Sequence, residues 1–532
     1  MARLSTSGGT KPSVATAGII VIGDEILKGY TRDTNSHFLC QRLFNKGIKV
    51  ERISVIQDDV AVIASEVRKF SGRYTNVVTS GGVGPTHDDV TFEGVAKAFN
   101  EDLQVNEELA PLVRGYFKLS HDDVTSPPMK LCLIPKSSKL LWGRDKKGRD
   151  SMYPVVRVGN VTVLPGIPRL LERGFEFIEN SFICSTSADS AESGFHHFDL
   201  FLSCDEFAIA ELLTNTAAAH KGAVNIGSYP KIDHSYYRVK VVVDSFDRTH
   251  AEDVFVELKQ KLCSCVVDYD SDVLNKALEK FENYFERVAV AAGAVGSDYH
   301  QLLQESLTIV ESALEKYPVE SLCLSFNGGK DCTALLHLVH LMLLRKSPDG
   351  NVKLKALYVE PDDSFPEVER FVADTQARYG LELIRLAGPI KEALLELRRK
   401  RPEIQAILMG TRQSDFDVRH HLHKLQPFSM TDAGWPAYMR VQPLAEWNYA
   451  SVWRLLRDLC LPYCRLYDKG FTSLGCKETT VPNEALKYVD GFGRTAYRPA
   501  HLLEDEALER DSRLRPPSKS KKTPVANGAE KL

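Results

Sequence analysis

A chain of 532 residues is too long for one core and predicts two to four domains. Hydrophobic residues at 43% and charged residues at 26% are the balance of a globular protein, and a formal net charge of −4 gives no cationic footprint for nucleic acid. No apolar run is long enough to span a membrane, and the eleven cysteines lack any C-x-x-C pair (the closest are Cys263/Cys265 and Cys460/Cys464), which reads as reduced thiols in the cytoplasm.

Residues 1–14 carry Arg3, Lys11 and several hydroxyls without an acid, a faint trace of mitochondrial targeting, and are expected to form an unstructured tail. The run Ala17 to Ile22 is short, apolar and β-branched, which predicts a strand covered on both faces. Helical spacing at Phe38, Leu39, Leu43 and Phe44 follows, then a strand from Val50 to Ile56, a helix from Val60 to Phe70 and a strand from Asn76 to Thr79. That last strand empties into Ser80-Gly81-Gly82-Val83-Gly84-Pro85-Thr86-His87-Asp88-Asp89 ahead of a helix from Phe92 to Phe99. A glycine-rich turn at a helix N-terminus is a nest for phosphate, so Gly81, Gly82 and Gly84 are candidates to hold one. Asp88 and Asp89 just beyond it make sense if a divalent cation joins them; a capped turn with solvated acids is the alternative.

Gly23-Asp24-Glu25-Ile26-Leu27, Asp33-Thr34-Asn35, Gly81 to Thr86 and Leu164-Pro165-Gly166-Ile167-Pro168, in that order, resemble the molybdopterin-binding (MoaB/MogA-type) fold over residues 15–180, closest to its competence-damage-inducible branch. The resemblance implies Asp58 or Asp59, and Asp88 or Asp89, near a ligand phosphate, with Asp89 as the metal ligand. It covers both pterin adenylylation and dinucleotide pyrophosphatase activities. Hydrolysis of a dinucleotide such as FAD with Co²⁺ or Mn²⁺ is one expectation, and a regulatory or assembly module is the other.

Residues 181–290 predict a small α+β connecting subdomain: a loop at Ser185 to Gly194, strands at His196 to Ser203 and Tyr236 to Val243, and helices at Glu206 to Ala219 and Ala251 to Cys263. His196 and His197 are adjacent on a strand and face opposite ways, so they read as structural. A soft stretch, Ala291 to Gly296, precedes a second domain at 298–500.

There a helix to Tyr317 leads to Leu322-Cys323-Leu324-Ser325-Phe326-Asn327-Gly328-Gly329-Lys330-Asp331-Cys332-Thr333, which reads strand, glycine-rich turn, helix N-terminus. Strands at Leu354 to Val359, Leu381 to Leu386 and Ala406 to Met409 alternate with helices at Glu367 to Tyr379 and Ile390 to Arg399. The fold class expected is therefore α/β, two doubly wound, mostly parallel-sheet domains joined by the α+β subdomain, with ligands at the carboxyl ends of the strands. Three such ends are polar: the Gly328-Gly329 turn, with Lys330 as a cation; Glu360-Pro361-Asp362-Asp363, suited to a base edge or ribose; and Gly410-Thr411-Arg412-Gln413-Ser414-Asp415. Arg412 there can neutralise phosphoryl charge and Asp415 can orient a partner or meet a metal.

The string Ser325 to Thr333 is no Walker A loop and resembles the PP-loop of the ATP pyrophosphatase superfamily. With Gly410-Thr411-Arg412, the segments Met430 to Pro436 and Met439 to Leu444, and the aromatic stretch from Trp447 to Gly475, it resembles eukaryotic FAD synthase (FMN adenylyltransferase) of the PAPS-reductase-like branch. The resemblance implies synthesis of FAD and pyrophosphate from FMN and ATP with Mg²⁺. It implies ATP binding at Ser325, Asn327, Gly328, Gly329, Lys330, Asp331, Glu360, Gly410 and Arg412, with catalysis carried by Asn327, Lys330, Asp331 and Arg412 and metal at Asp331. Asp415, Asp432, Trp435, Arg440, Arg494 and Arg498 are the flavin candidates. Flavoprotein clients and further copies of the chain are the candidate partners, with no nucleic acid and no membrane. The rival is a PAPS or APS reductase, for which Cys476 beside Lys477 is the one candidate nucleophile. Residues 505–532, charged and then Pro/Ser/Lys-rich, are expected to be disordered, with a nuclear signal as the lesser reading of their basic run.

Overall fold

A computed structural model describes residues 15–144, 150–151, 153–184, 196–292, 298–347, 353–415 and 424–513. The expected tail at 1–14, the loop at 185–194, most of the 291–296 linker and the basic run at 515–522 lie outside the described residues. The chain forms two compact units, Met1–Pro230 with Val239–Val266, and Lys231–Arg238 with Val267–Leu532. Among the described residues no helix is long and apolar enough to cross a membrane.

Among the described residues the first unit holds two larger sheets and a two-stranded ribbon, Leu103–Val105 with Leu133–Pro135. Strands β1 (Thr16–Ile22), β2 (Lys49–Ile56), β3 (Asn76–Ser80), β4 (Lys139–Leu141), β5 (Val155–Val158) and β6 (Val161–Leu164) lie in the order β2-β1-β3-β6-β5-β4. The four strands β2, β1, β3 and β6 run parallel, β5 runs antiparallel to them, and β4, paired antiparallel to β5, returns to their direction. Every residue of β1 from Ala17 on is buried, as its unbroken Ile/Val run requires of a central parallel strand. The order reverses between β1 and β3, so their carboxyl ends open a crevice there. The second sheet is antiparallel where its pairing is resolved, with β7 (His196–Leu202), β8 (Asn225–Pro230), β9 (Val239–Ser245) and β10 (Val266–Val267) in the order β8-β9-β7-β10. The strand expected from Tyr236 begins only at Val239, because Tyr236 sits in the preceding loop with its hydroxyl donated to the carbonyls of Leu456 (2.9 Å) and Leu461 (2.7 Å).

The second unit is built on β11 (Leu322–Ser325), β12 (Lys355–Glu360), β13 (Glu382–Ala387), β14 (Ala406–Leu408), β15 (Phe428–Met430) and β16 (Met439–Val441), ordered β13-β12-β11-β14-β16-β15 with only β15 antiparallel. Its switch point falls between β11 and β14, which places the turn after β11 beside the turn after β14. The helix Lys330–Lys346 that follows β11 has 12 of its 17 residues buried and packs on the helices Ala277–Ala292, Asp298–Lys316 and Tyr449–Asp458. Burying its leucines, at about 1.5–3 kcal/mol each, fixes the N-terminus of that helix in place. The expectation of disorder from residue 505 is corrected: Glu506–Ser512 form a 3₁₀ turn in which Glu509 and Ser512 are buried.

Candidate active site

The turn after β11 sets the geometry. Gly328 adopts φ +75°, and Asn327 folds its side chain back so that Oδ1 accepts from the Gly329 N–H (3.0 Å) and the Cys332 thiol (3.1 Å). Gly329 is the N-cap of the helix Lys330–Lys346 and brings no side chain to it, so the positive end of the dipole faces the turn; the Tyr467 hydroxyl accepts the Lys330 N–H (2.9 Å). Burial pushes the Cys332 thiol up to about 12, which leaves it a closed, neutral group.

Beside this turn stands Arg412, delivered by the turn after β14 and only 1% exposed. Its Nη2 meets Glu509 Oε1 at 2.6 Å and Asp415 Oδ1 at 3.5 Å, and its Nε lies 2.9 Å from Asp331 Oδ1. The Nε–Oδ1 pair is an ionic contact without hydrogen-bond alignment, and Arg412 Nη1 is likewise buried with no aligned partner. Burial alone would pull the guanidinium pKa down, but the charges of Asp331, Glu509 and Asp415 outweigh it and hold it above its ordinary value. Lys330, 2% exposed, points inward: its ammonium donates to Asp331 Oδ2 at 3.0 Å and Glu509 Oε1 at 2.5 Å. Asp415 accepts from its own turn at the Arg412 N–H (2.8 Å) and from Arg510 (3.0 Å). Three carboxylates thus face three cations in one network.

Of the residues expected from sequence, Ser325, Asn327, Gly328, Gly329, Lys330, Asp331, Gly410, Arg412 and Asp415 come together here. Glu360 does not join them; it pairs with Arg385 at 2.9 Å. Asp432 and Arg440 form a separate pair at 3.3 Å, near the β15–β16 turn where Trp435, 40% exposed, has Lys391 over its ring at 6.0 Å. Arg494 is exposed and bound to Asp490 at 3.0 Å, and Arg498 donates its main-chain N–H to Leu486 O at 2.8 Å. Sequence reasoning missed Glu509, Arg510 and the role of Tyr467. The heptapeptide Glu506 to Ser512 has no apolar period, and nothing local marks Glu509 as buried.

The first unit has its own polar crevice. Gly81 (φ +107°) and Gly82 (φ +61°) turn the chain after β3, and a Cβ on Gly81 would collide with the Ile22 carbonyl oxygen at the end of β1. Asn35 sits between the strand ends, its Nδ2 donating to Ser80 Oγ (3.0 Å) and Gly166 O (2.7 Å) while its buried Oδ1 has no partner. Asp58 accepts the Asp24 N–H at 2.9 Å; burial pushes its carboxyl pKa up, and the charges of Glu25, Asp24 and Asp88 add to the shift. Two expected acids are committed elsewhere. Asp59 caps the helix Val60–Ser71 through the Ala61 and Val62 N–H groups (both 2.9 Å), and Asp89 accepts from the Thr86 N–H (2.9 Å) and hydroxyl. In this structure Asp89, expected as the metal ligand, serves as a turn cap. Among the described residues no group of three or more His, Cys, Asp and Glu is placed to hold a metal ion.

All eleven cysteines are free, and Cys476 is exposed. Residues 18–183 match the family described as "Probable molybdopterin binding domain", residues 194–271 the "FAD synthase, middle domain", and residues 321–482 the "Phosphoadenosine phosphosulfate reductase domain". A "Probable FAD synthase" of Caenorhabditis briggsae is 39% identical over 514 residues, covering 94% of this chain and 96% of that one. A "Probable FAD synthase" of Schizosaccharomyces pombe is 41% identical over 246 residues, 46% of this chain and 89% of that one. The solved FMN adenylyltransferase of Candida glabrata in complex with FMN and an ATP analogue aligns at 27% identity with a TM-score of 0.38, covering 44% of this chain and 99% of that chain. With a relative matched along nearly the whole length of both sequences, the chain belongs to the FAD synthase family.

Proposed function

We propose that the second unit transfers the adenylyl group of ATP to FMN, giving FAD and pyrophosphate, at the turn after β11. The observation that carries this is the meeting of Asp331 and the buried, incompletely hydrogen-bonded Arg412 at an N-terminal helix end, in a chain of this family. A phosphate oxygen of FMN attacks the α-phosphorus of ATP in line; the bond from that phosphorus to the bridging oxygen of the β-phosphate breaks, and pyrophosphate leaves with its negative charge. Both reactants arrive as phosphates, so no enzyme nucleophile is needed and catalysis is positioning plus charge stabilisation. The positive end of the helix dipole and the buried, unpartnered Nη1 of Arg412 are the groups suited to stabilise that developing charge. Asp331 fits a Mg²⁺ ion, because its Oδ1 is buried without an aligned hydrogen-bond partner and one carboxylate suffices when phosphate oxygens and water supply the other ligands. Bound there, the ion would neutralise charge on the pyrophosphate. Eleven free thiols suit a reducing compartment such as the cytoplasm.

The test is to incubate the full chain with ATP, Mg²⁺ and FMN, with PAPS and a thiol reductant in parallel, and to separate the products. FAD and pyrophosphate appearing together support the reading, and sulfite without FAD moves the site to sulfur chemistry. Asp331→Ala should lower FAD formation by about a hundredfold or more with the fold retained; full turnover in that variant would sink the assignment.

A second reading belongs to the first unit, where the Gly81-Gly82 turn, the unpartnered Asn35 oxygen and the acids Asp58 and Asp88 line one crevice. It hydrolyses a dinucleotide pyrophosphate such as FAD with a divalent cation. Given FAD and Mn²⁺ or Co²⁺, the full chain should release FMN and AMP, and Asp58→Asn should stop that release. No release with any of Mg²⁺, Mn²⁺ and Co²⁺ favours a regulatory or assembly module.

A further inference from the structure

Glu509 reaches the active site from the far end of the sequence, 179 residues beyond Lys330 and 97 beyond Arg412. One of its oxygens, Oε1, accepts from both Lys330 Nζ (2.5 Å) and Arg412 Nη2 (2.6 Å). We propose that Glu509 is a positioning residue for adenylyl transfer, one that holds Lys330 and Arg412 from behind so that Asp331 Oδ1 and Arg412 Nη1 stay aimed at the reacting phosphates. The proposal rests on the adenylyl-transfer reading and names a part of that site which no motif marks.

Three observations support it. Lys330 is 2% exposed and its ammonium already donates to two carboxylates, so its place is inside the wall of the site and not at its mouth. Without Glu509, two buried cations would share Asp331 and Asp415, and the nearest acceptor for both is the Asp331 carboxylate that the chemistry needs. Finally, the carboxylate is bolted down through its main chain. Thr472 Oγ1 donates to Glu509 O (2.6 Å), Asn483 Nδ2 donates to Leu508 O (2.7 Å), and the Val481 and Thr472 N–H groups donate to Ser512 O and Oγ (both 2.9 Å). A carboxylate that simply stood in for phosphate, to be pushed out by ATP, would need a segment free to leave; this one is tied at four points.

The experiment uses the full chain as wild type, Glu509→Gln, Glu509→Asp, Lys330→Met and the double variant K330M/E509Q, with a thermal melt to confirm folding. For each, kcat and KM are measured for ATP at saturating FMN, and the Kd for ATP is measured by calorimetry without FMN. In E509Q, kcat should fall by about tenfold or more, the loss of two charge-assisted hydrogen bonds, and the Kd for ATP should rise by a smaller factor. Because Glu509 acts through Lys330 and Arg412, adding E509Q to K330M should cost less than it costs alone, and E509D, which keeps the charge, should recover part of the kcat lost in E509Q. Unchanged kcat in E509Q, fully multiplicative effects in the double variant, or an E509D no better than E509Q would each overturn the proposal. Tighter ATP binding with faster turnover in E509Q would overturn it too, as the mark of a displaced plug. Should the wild type make no FAD, the adenylyl-transfer reading falls by itself; the ATP Kd still decides, since an equal Kd in wild type and E509Q refutes the positioning role and a weakened one supports it.

Discussion

At Gly410 the backbone leaving β14 presses on the first turn of the helix Lys330–Lys346. A Cβ there would stand 2.9 Å from both Asp331 C and Cys332 N. Both are main-chain atoms of a buried helix, so neither can swing aside as the end of a side chain could. Gly410→Ala should therefore push the Asp331 turn out of place, at a cost of about 1–3 kcal/mol in stability. Its kcat/KM for ATP should fall by about tenfold or more, because small displacements of a positioning group are costly in rate. A melt paired with steady-state kinetics checks this; a folded variant with wild-type kinetics would show that the contact does not govern the site. The Gly328-Gly329-Lys330-Asp331 and Gly410-Thr411-Arg412 strings were legible in sequence because each is a local pattern, a strand end followed by a turn. The direction taken by Lys330 was not, since it depends on a glutamate 179 residues away. For the acids of the first unit the capped-turn alternative carried a local sign. Asp59 directly precedes a helix and Asp89 lies three residues after Thr86, which are the spacings of caps and not of metal ligands.

Elements were legible wherever burial is one-dimensional. The unbroken apolar strands β1 and β11 and the helices that follow them show in the period of the side chains, whereas the two switch points belong to the order of the strands in the sheets. Two of the elements that escaped are held by distant polar contacts. Tyr236 to Arg238 alternates as a strand should, yet Tyr236 is taken by two carbonyls near the end of the helix Tyr449–Asp458 and covered by Arg457 at 4.1 Å from its ring. The turn Glu506–Ser512 has the composition of a solvated tail. It is ordered because Asn483, 1% exposed, and Thr472, fully buried, offer it side-chain donors. Such hooks are single residues in otherwise featureless stretches, so no periodicity reveals them. The same hooks explain how the segment can hold a buried carboxylate against Lys330 and Arg412, since an apolar staple would fix its position less narrowly than four directed hydrogen bonds.

On the scale of the whole chain, the second unit concentrates histidines that folding keeps neutral. Burial pulls His337 down to about 3, helped by the nearby charge of His340; it pulls His234 and His501 down to about 4, helped by Arg465, Lys231 and Arg457 for the first and Arg457 for the second. The ordinary value is 6.5, so between 6.5 and about 4 the unfolded chain binds protons that the folded unit refuses. Stability from these groups is complete above pH 6.5 and is lost as the pH falls through that window. His337, 2% exposed, should by itself withdraw about 2 kcal/mol between pH 6.5 and 5, with His234 and His501 adding less because they are not fully buried. The paired carboxylates whose values are lowered lose their contribution only below about pH 4.5, while burial pushes the Asp468 carboxyl up and gives it a contribution of the opposite sign, so His337 is isolated by comparing the wild type with a variant at that position. Trp447 and Trp453 are buried in this unit and report its urea unfolding by fluorescence. The expected result is a lower urea midpoint at pH 5 than at pH 7, with the difference reduced in His337→Gln, where the side chain can no longer take up the proton. The replaced side chain loses its contact with the Tyr379 hydroxyl (3.1 Å), so the variant is weaker at pH 7, and the prediction concerns the slope with pH and not the midpoint itself. Equal slopes in the two proteins would mean that His337 takes up its proton without unfolding, and the acid sensitivity of the unit would then have to come from His234, His501 and its carboxylates.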